Sequence, residues 1–251
     1  SPAISKNDLL CYGILLNEEI ISNPMYFRDE DTTQIAEFLE NVRIQNKRVV
    51  VFEDGSKFYD SYFQKDCDIL LNPQKDGGYA WDMLGEFDGN YLEFAKTIIA
   101  ASDMDEKDRK NAEAYFFKMF SNLPQLVENA TTSNVLNKLI FQPFKLLSSD
   151  LIGKLGIDNK DILEKYAHIR DYLTLKFTHL KPDVDCGREI SILKYSKNRN
   201  RDILFISCFD NQNLMKTQKM IADFCKVPSS ACFYVHSSTS AVENIRNSAQ
   251  M

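Results

Sequence analysis

The stretch Arg48–Glu86, RVVVFEDGSKFYDSYFQKDCDILLNPQKDGGYAWDMLGE, decides the fold. Val49, Val50, Val51 and Phe52 are four consecutive apolar residues, mostly β-branched, and such a run marks a strand buried on both faces. The run stops at Glu53-Asp54-Gly55, a turn signal at the carboxyl end of the strand. A second apolar run, Ile69-Leu70-Leu71, closes at Asn72-Pro73, where the proline ring holds Asn72 extended. Asp76-Gly77-Gly78 then leads through Tyr79 to Trp81, the one tryptophan in the chain.

Upstream, Ile35, Phe38, Leu39, Val42 and Ile44 recur at helical spacing behind a cap at Asp31 or Thr32. This helix feeds the Val49 strand, giving a strand–helix–strand unit of the parallel-sheet kind. The preceding strand is expected at Leu9–Leu16 (LLCYGILL), broken afterwards by Asn17-Glu18-Glu19 and Asn23-Pro24.

Downstream of Tyr91 the pattern turns helical. Tyr91, Phe94, Ala95, Ile98 and Ile99 form one apolar stripe, and Ala112, Tyr115, Phe116, Met119 and Phe120 form another after the charged run Asp103–Lys110. Shorter helices are expected over Leu123–Glu128, Thr132–Leu147 and Ser149–Leu155, with Pro143 splitting the second and Gly156 ending the third. A longer one is expected over Asp158–Tyr172, capped by Asp158. Ile190–Leu193 reads as a short strand or a helix start, before a basic loop at Asn198–Asp202. Ile203–Ser207 reads as a buried strand, Leu214–Phe224 as a helix and Cys232–Val235 as a last strand. The fold class is therefore α/β: a mainly parallel sheet flanked by helices, with a helical block between its strands. The expected core is 1–102 with 186–251, and the helical insert 103–185.

Composition narrows the function. A hydrophobic fraction of 44% with 12% aromatics suits a folded globular chain. A net charge of −6 argues against a surface built for nucleic-acid phosphates. No apolar run approaches the roughly 18 residues of a membrane span. No signal peptide heads the chain, and Ser1-Pro2 reads as the remnant of a cleaved tag. Six cysteines lie scattered without CxxC spacing, the pattern of reduced core thiols in a cytosolic protein. His168, His179 and His236 supply no ligand spacing for a metal. The His236-Ser237 pair is a poor nucleophile and base, because neighbours on a strand point to opposite faces. Asp103, Asp105, Glu106 and Asp108 lack the central glycine of a calcium loop and read as a solvated helix start. No metal, cofactor or catalytic residue is expected. Glu53-Asp54-Gly55 and Asn72-Pro73 remain as candidates, because ligands of open α/β sheets bind at the carboxyl ends of strands.

The order of pieces in 48–86 resembles the nucleotide-binding domain of type IV secretion coupling proteins, the TraD/TrwB family of ring-forming ATPases. In that family a hydrophobic strand ends in an acidic-X-X-Gly turn, followed by Asp-x-Ile-Leu-Asn-Pro, Ala-Trp-Asp and a Glu. Here these stand as Glu53-Asp54-Gly55, Asp68–Pro73, Ala80-Trp81-Asp82 and Glu86. The first departs from the family turn, being one residue shorter and beginning Glu-Asp rather than Asp-Pro-Lys. Ile169–Leu173 and Leu204–Ser207 match the short helix and strand with which the family chain returns to its sheet. The resemblance also implies that the sheet is RecA-like and that the helical block is an all-α inserted lobe. Two catalytic parts are missing. Between Gly13 and Thr32 there is no GxxxxGK[ST] phosphate loop, only Glu18, Glu19, Asp29, Glu30 and Asp31. Phe233–Ser238 carries no Walker B carboxylate.

The resemblance thus implies a degenerate, non-catalytic adaptor or scaffold in a bacterial type IV coupling complex, of the multi-subunit Dot/Icm kind. Such a subunit is cytoplasmic, peripheral at the inner membrane through its complex, and bound to the coupling ATPase or its adaptors rather than to nucleic acid or lipid. The alternative is a truncated or divergent coupling ATPase domain that still binds nucleotide; a third is an unrelated α/β protein with accidental matches. Structural or partner-contact candidates are Asp54, Gly55, Asn72, Pro73, Tyr79 and Trp81. For Tyr79 and Trp81, packing against the helical insert and an exposed anchor for a partner both stand.

Overall fold

The computed structural model describes residues 25–28, 32–44, 48–53, 55–182, 187–198, 201–209, 211–224 and 232–236. The main sheet holds β1 (Met25–Arg28), β2 (Val49–Glu53), β3 (Ile69–Leu70), β6 (Ile203–Ser207) and β7 (Cys232–His236), in the order β1-β7-β2-β6-β3. Every neighbouring pair is parallel. β2 lies at the centre, with Val49 opposite Ile203, Glu53 opposite Ser207, and Val51 opposite Phe233 on the other side. All five residues of β2 and of β6 are buried, as a strand covered on both faces requires. β4 (Ala80–Trp81) and β5 (Glu189–Ile190) pair separately, also in parallel.

Helices α1 (Thr32–Ile44), α2 (Lys57–Tyr62), α9 (Ile192–Lys197) and α10 (Gln212–Phe224) connect these strands. Phe38, Leu39 and Val42 of α1 join Val49, Val51, Phe58, Leu70, Ile203 and Phe205 in one fully buried cluster. Each such side chain contributes about 1.5–3 kcal/mol through burial. α9 is anchored by Tyr195, whose hydroxyl donates to the carbonyls of Val49 and Asp202.

Asp82–Asp185 forms a second compact unit, built of helices. It contains α3 (Tyr91–Ser102), α4 (Glu106–Ser121), α5 (Leu123–Leu126), α6 (Thr132–Leu136), α7 (Phe144–Leu155) and α8 (Lys160–Lys176). Asp103, in the left-handed region at φ 57°, turns α3 back into α4, and Asp105 caps α4 by accepting from the Asp108 N–H. Its core includes Phe94, Ile98, Tyr115, Phe116, Met119, Leu139, Leu147, Leu151, Ile169 and Leu173. The α6 helix widens into a π-turn over Asn137–Phe141 and breaks at Gln142-Pro143. Proline there removes a donor and frees carbonyls in the preceding turn. Neighbouring helices satisfy them. Buried Arg170 of α8 donates to Leu139, Lys138 and Gln142, Tyr115 donates to Leu139, and Thr174 to Ile140.

Several expectations need correction. The helical unit begins at Asp82, so α3 belongs to it rather than to the sheet unit. The strand that leads into α1 is Met25–Arg28, three of whose four residues are apolar, placed just after Asn23-Pro24. Leu9–Leu16 lies outside the described residues. Ile44 is 71% exposed and ends its helix on the solvent side. α7 starts at Phe144 right behind Pro143, not at Ser149. α8 is capped by Asn159, which accepts from the N–H groups of Asp161 and Ile162, and it runs on to Lys176 because Leu173 faces the core. Ile169–Leu173 therefore sits inside a long helix of the helical unit instead of leading back to the sheet.

Candidate functional site

The carboxyl ends of β2, β3 and β6 meet in a buried polar layer. Glu53, the last residue of β2, is 2% exposed and turns its carboxylate onto the start of α2. Its Oε1 accepts from the Phe58 N–H at 2.7 Å, and its Oε2 accepts from the Tyr59 N–H at 3.2 Å and from the Ser207 hydroxyl at 3.1 Å. The first N–H groups of a helix lack partners within it and attract negative charge; here the chain's own carboxylate takes them. Buried Gln218 of α10 covers the strand ends, donating to the Glu53 and Ile206 carbonyls at 3.1 and 2.8 Å.

Asn72 extends the layer past β3. It is 1% exposed, its Nδ2 donates to the Ser207 carbonyl at 2.9 Å, and its Oδ1 accepts from the Gln74 N–H. That Asx turn starts a loop in which the Lys75 N–H donates to Asn72 and the Gly78 N–H to Lys75. Gln74 accepts from the Asn211 side chain at 2.9 Å, and the Lys75 ammonium stands 5.3 Å over the Phe209 ring. Phe209 itself occupies the left-handed region at φ 47°.

The candidates read from the sequence fall as follows. Asn72 is central to the layer, and Pro73, half-buried, shapes the loop that follows. Gly55 is half-buried with open space where a side chain would go. Asp54 lies outside the described residues. Tyr79 is half-buried, its N–H donating to the Leu70 carbonyl and its ring lying under Arg188 at 4.8 Å. Trp81 is buried in β4, which removes the exposed-anchor reading. Sequence reasoning named Glu53 only as part of the Glu53-Asp54-Gly55 turn and not as the centre of the layer, and as site residues it missed Ser207 and Gln218 altogether. The signal was present in Glu53, a carboxylate one step beyond four apolar residues and just before a short helix.

At the opposite edge, Cys67, Asp68 and Asp202 bring three candidate ligand atoms within 4.8 Å of one another. Arg43 occupies the middle. Its guanidinium grips Asp68 at 2.7 and 2.5 Å, touches Asp202 at 3.4 Å, and also donates to the Tyr62 carbonyl. Burial opposes the Arg43 charge, but the Asp68 carboxylate more than offsets it and leaves the pKa raised. Burial also pushes the Cys67 thiol up, with Asp68 adding to the rise and Arg43 opposing it. Such a thiol is a poor nucleophile. The cluster is a buried ion pair joining α1 to the starts of β3 and β6, to which Asp68 adds a bond from the Ile203 N–H.

A family model for the type IV secretion-system coupling protein DNA-binding domain matches residues 31–240. The chain belongs to this family. Among solved structures, the bacterial conjugative coupling protein TrwBΔN70, in an unbound monoclinic form, is 14% identical with a TM-score of 0.49. The plasmid coupling protein TrwB in complex with the non-hydrolysable GTP analogue GDPNP is 13% identical with a TM-score of 0.47. Each alignment covers 95% of this chain and 74% of the other. No curated protein matches. The coupling-protein family is described by a DNA-binding domain, so the charge-based expectation of partners without nucleic acid gains no support from it. No helix among the described residues is long and apolar enough to cross a membrane.

Proposed function

We propose that this coupling-family chain is a non-catalytic adaptor or scaffold subunit of a bacterial type IV coupling complex, an accessory component of the DotZ class. The observation that carries the reading is the junction of β1 and α1. Only Asp29, Glu30 and Asp31 join the two elements. A phosphate loop of the GxxxxGK[ST] form is longer than this, needs glycines for close backbone approach, and places a lysine on the phosphates. Three carboxylates there would repel a triphosphate. The Glu53 carboxylate adds to this, since it already takes the N–H groups that begin α2. Without chemistry at the sheet edge, function passes to surfaces, and the setting is cytoplasmic, on the coupling ATPase or its adaptors.

Two experiments test it on the full chain. Calorimetry with Mg-ATP is expected to show no binding up to millimolar nucleotide, and affinity purification from native cells is expected to recover coupling-complex subunits. Micromolar nucleotide binding or ATP hydrolysis would favour the alternative, a divergent coupling ATPase domain, which rests on family membership. Recovery of DNA rather than protein subunits would also overturn the adaptor reading.

A further inference from the structure

One face of the α3–α4 hairpin is open. Between the two helices runs an apolar groove of about 500 Å³, floored by Phe116 and Phe120. Leu92 on α3 and Phe117 on α4 stand on its walls, 60% and 71% exposed. Large apolar side chains exposed together on adjoining helices mark an interaction surface. The same groove carries one charge on each wall, Lys96 on α3 and Glu113 on α4. Among the described residues, neither forms an ion pair within its own chain.

The register of the hairpin fixes where these groups stand. Tyr91 stacks on Phe120 with ring centroids 4.9 Å apart, and Phe94 meets Phe116 at 6.4 Å. Counting inward from those pairs, Lys96 and Glu113 lie within about 3 Å of each other along the hairpin axis, at 1.5 Å per residue. Leu92 and Phe117 likewise share a height, about 6 Å further from the turn. A two-fold axis along the hairpin, in the plane of this face, lays α3 of one copy over α4 of another without changing height. Leu92 then meets the second copy's Phe117, and Lys96 meets its Glu113, each contact occurring twice.

We propose that this face is a homodimer interface, through which two copies close into a four-helix bundle. A foreign helix would need an apolar groove, but it would not need the opposite charges and the apolar pair to match in height. Self-pairing does need it, because an isologous interface must be complementary to itself. Helices of 12 and 16 residues offer a small face. At about 400 Å² per copy, roughly 800 Å² in total, it falls below the roughly 1,000 Å² that a stable interface clears, so the dimer is weak and concentration-dependent. This inference is independent of the coupling role.

Sedimentation velocity of the full chain, across a concentration series from low micromolar to several hundred micromolar, tests it. A shift from monomer to dimer is expected. Phe117→Asp should abolish the shift while leaving the circular-dichroism melt unchanged, since this side chain is mostly in solvent. Lys96→Glu should weaken dimerisation about tenfold by setting like charges against each other, and the swap Lys96→Glu with Glu113→Lys should restore it. A chain that stays monomeric throughout overturns the proposal, whether or not another protein binds the groove. So does a dimer that is indifferent to Phe117→Asp, or a charge swap that fails to rescue.

Discussion

Gly78 sits where no side chain fits. A Cβ built there would lie 1.9 Å from the Asn72 carbonyl oxygen and 3.0 Å from that of Lys75. Both oxygens are fixed by the loop that starts at buried Asn72. Gly78→Ala should therefore shift this loop and loosen the hold of Asn72 on Ser207, at a cost of about 1–3 kcal/mol, the range for forced overpacking. Urea denaturation measures it, and an unchanged midpoint would contradict the geometry. A second residue-scale prediction concerns Asp150, which pairs with Lys138 on the neighbouring helical segment. The Lys138 hydrogen bond, more than the opposing burial, holds the Asp150 carboxyl below its ordinary range. A depressed carboxyl pKa contributes stability that is present above the unfolded-state value, near 4, and is lost as pH falls through the folded value. Asp150→Asn should cost about 1 kcal/mol at neutral pH. The gap to the parent should close in acid, as read by denaturation midpoints against pH. At this scale the sequence showed which positions are special, such as Asn72 and the glycines beside Tyr79. It could not show which groups they meet, since Asn72 and Ser207 are 135 positions apart in the chain.

Among the elements, legibility followed the strength of the local signal. Val49–Phe52 and Ile203–Ser207 announced themselves because a continuous apolar run has few homes other than a doubly covered strand. The α3 and α4 stripes were as clear. Boundaries were harder. Asp158 and Asn159 are both good caps, and only the bonds to Asp161 and Ile162 choose between them. Met25–Arg28 was too short to stand out, and its identity as a strand comes from pairing with β7, far away in sequence. The π-turn before Pro143 was half legible: proline predicted a break, but nothing local predicted its repair by Arg170. That repair is testable. Arg170→Met keeps an apolar stem but strips the donors from the Lys138 and Gln142 carbonyls, leaving Tyr115 to serve Leu139. A loss of about 2–3 kcal/mol is expected for buried acceptors left unmet. It should appear in urea denaturation, whereas an unaffected midpoint would show that these carbonyls reach other partners.

For the molecule as a whole, the sequence reading of a parallel sheet with a helical insertion holds, while the place of the insertion moved from residue 103 to residue 82. The reason is physical. Apolar periodicity marks α3 as a helix but does not say which core receives its stripe, and that stripe packs against α4 through Phe94 with Phe116 and Phe120. The strands leading into and out of the helical unit, Ala80–Trp81 and Glu189–Ile190, are hydrogen-bonded neighbours. The insertion therefore begins and ends at nearby points, the condition under which one domain can be carried inside another. Asp82–Asp185 has its own buried aromatic and aliphatic core, its own caps at Asn90, Asp105, Thr131 and Asn159, and internal satisfaction of its broken helix. A segment of about 100 residues with those properties is large enough to fold alone. Expressed as 82–185, it should give a helical circular-dichroism spectrum and one cooperative thermal transition. Arg170→Met should lower that transition in the isolated segment as it does in the full chain. A segment that is unstructured on its own, or melts without cooperativity, would mean that its core is completed by the sheet unit and that the two are one folding unit.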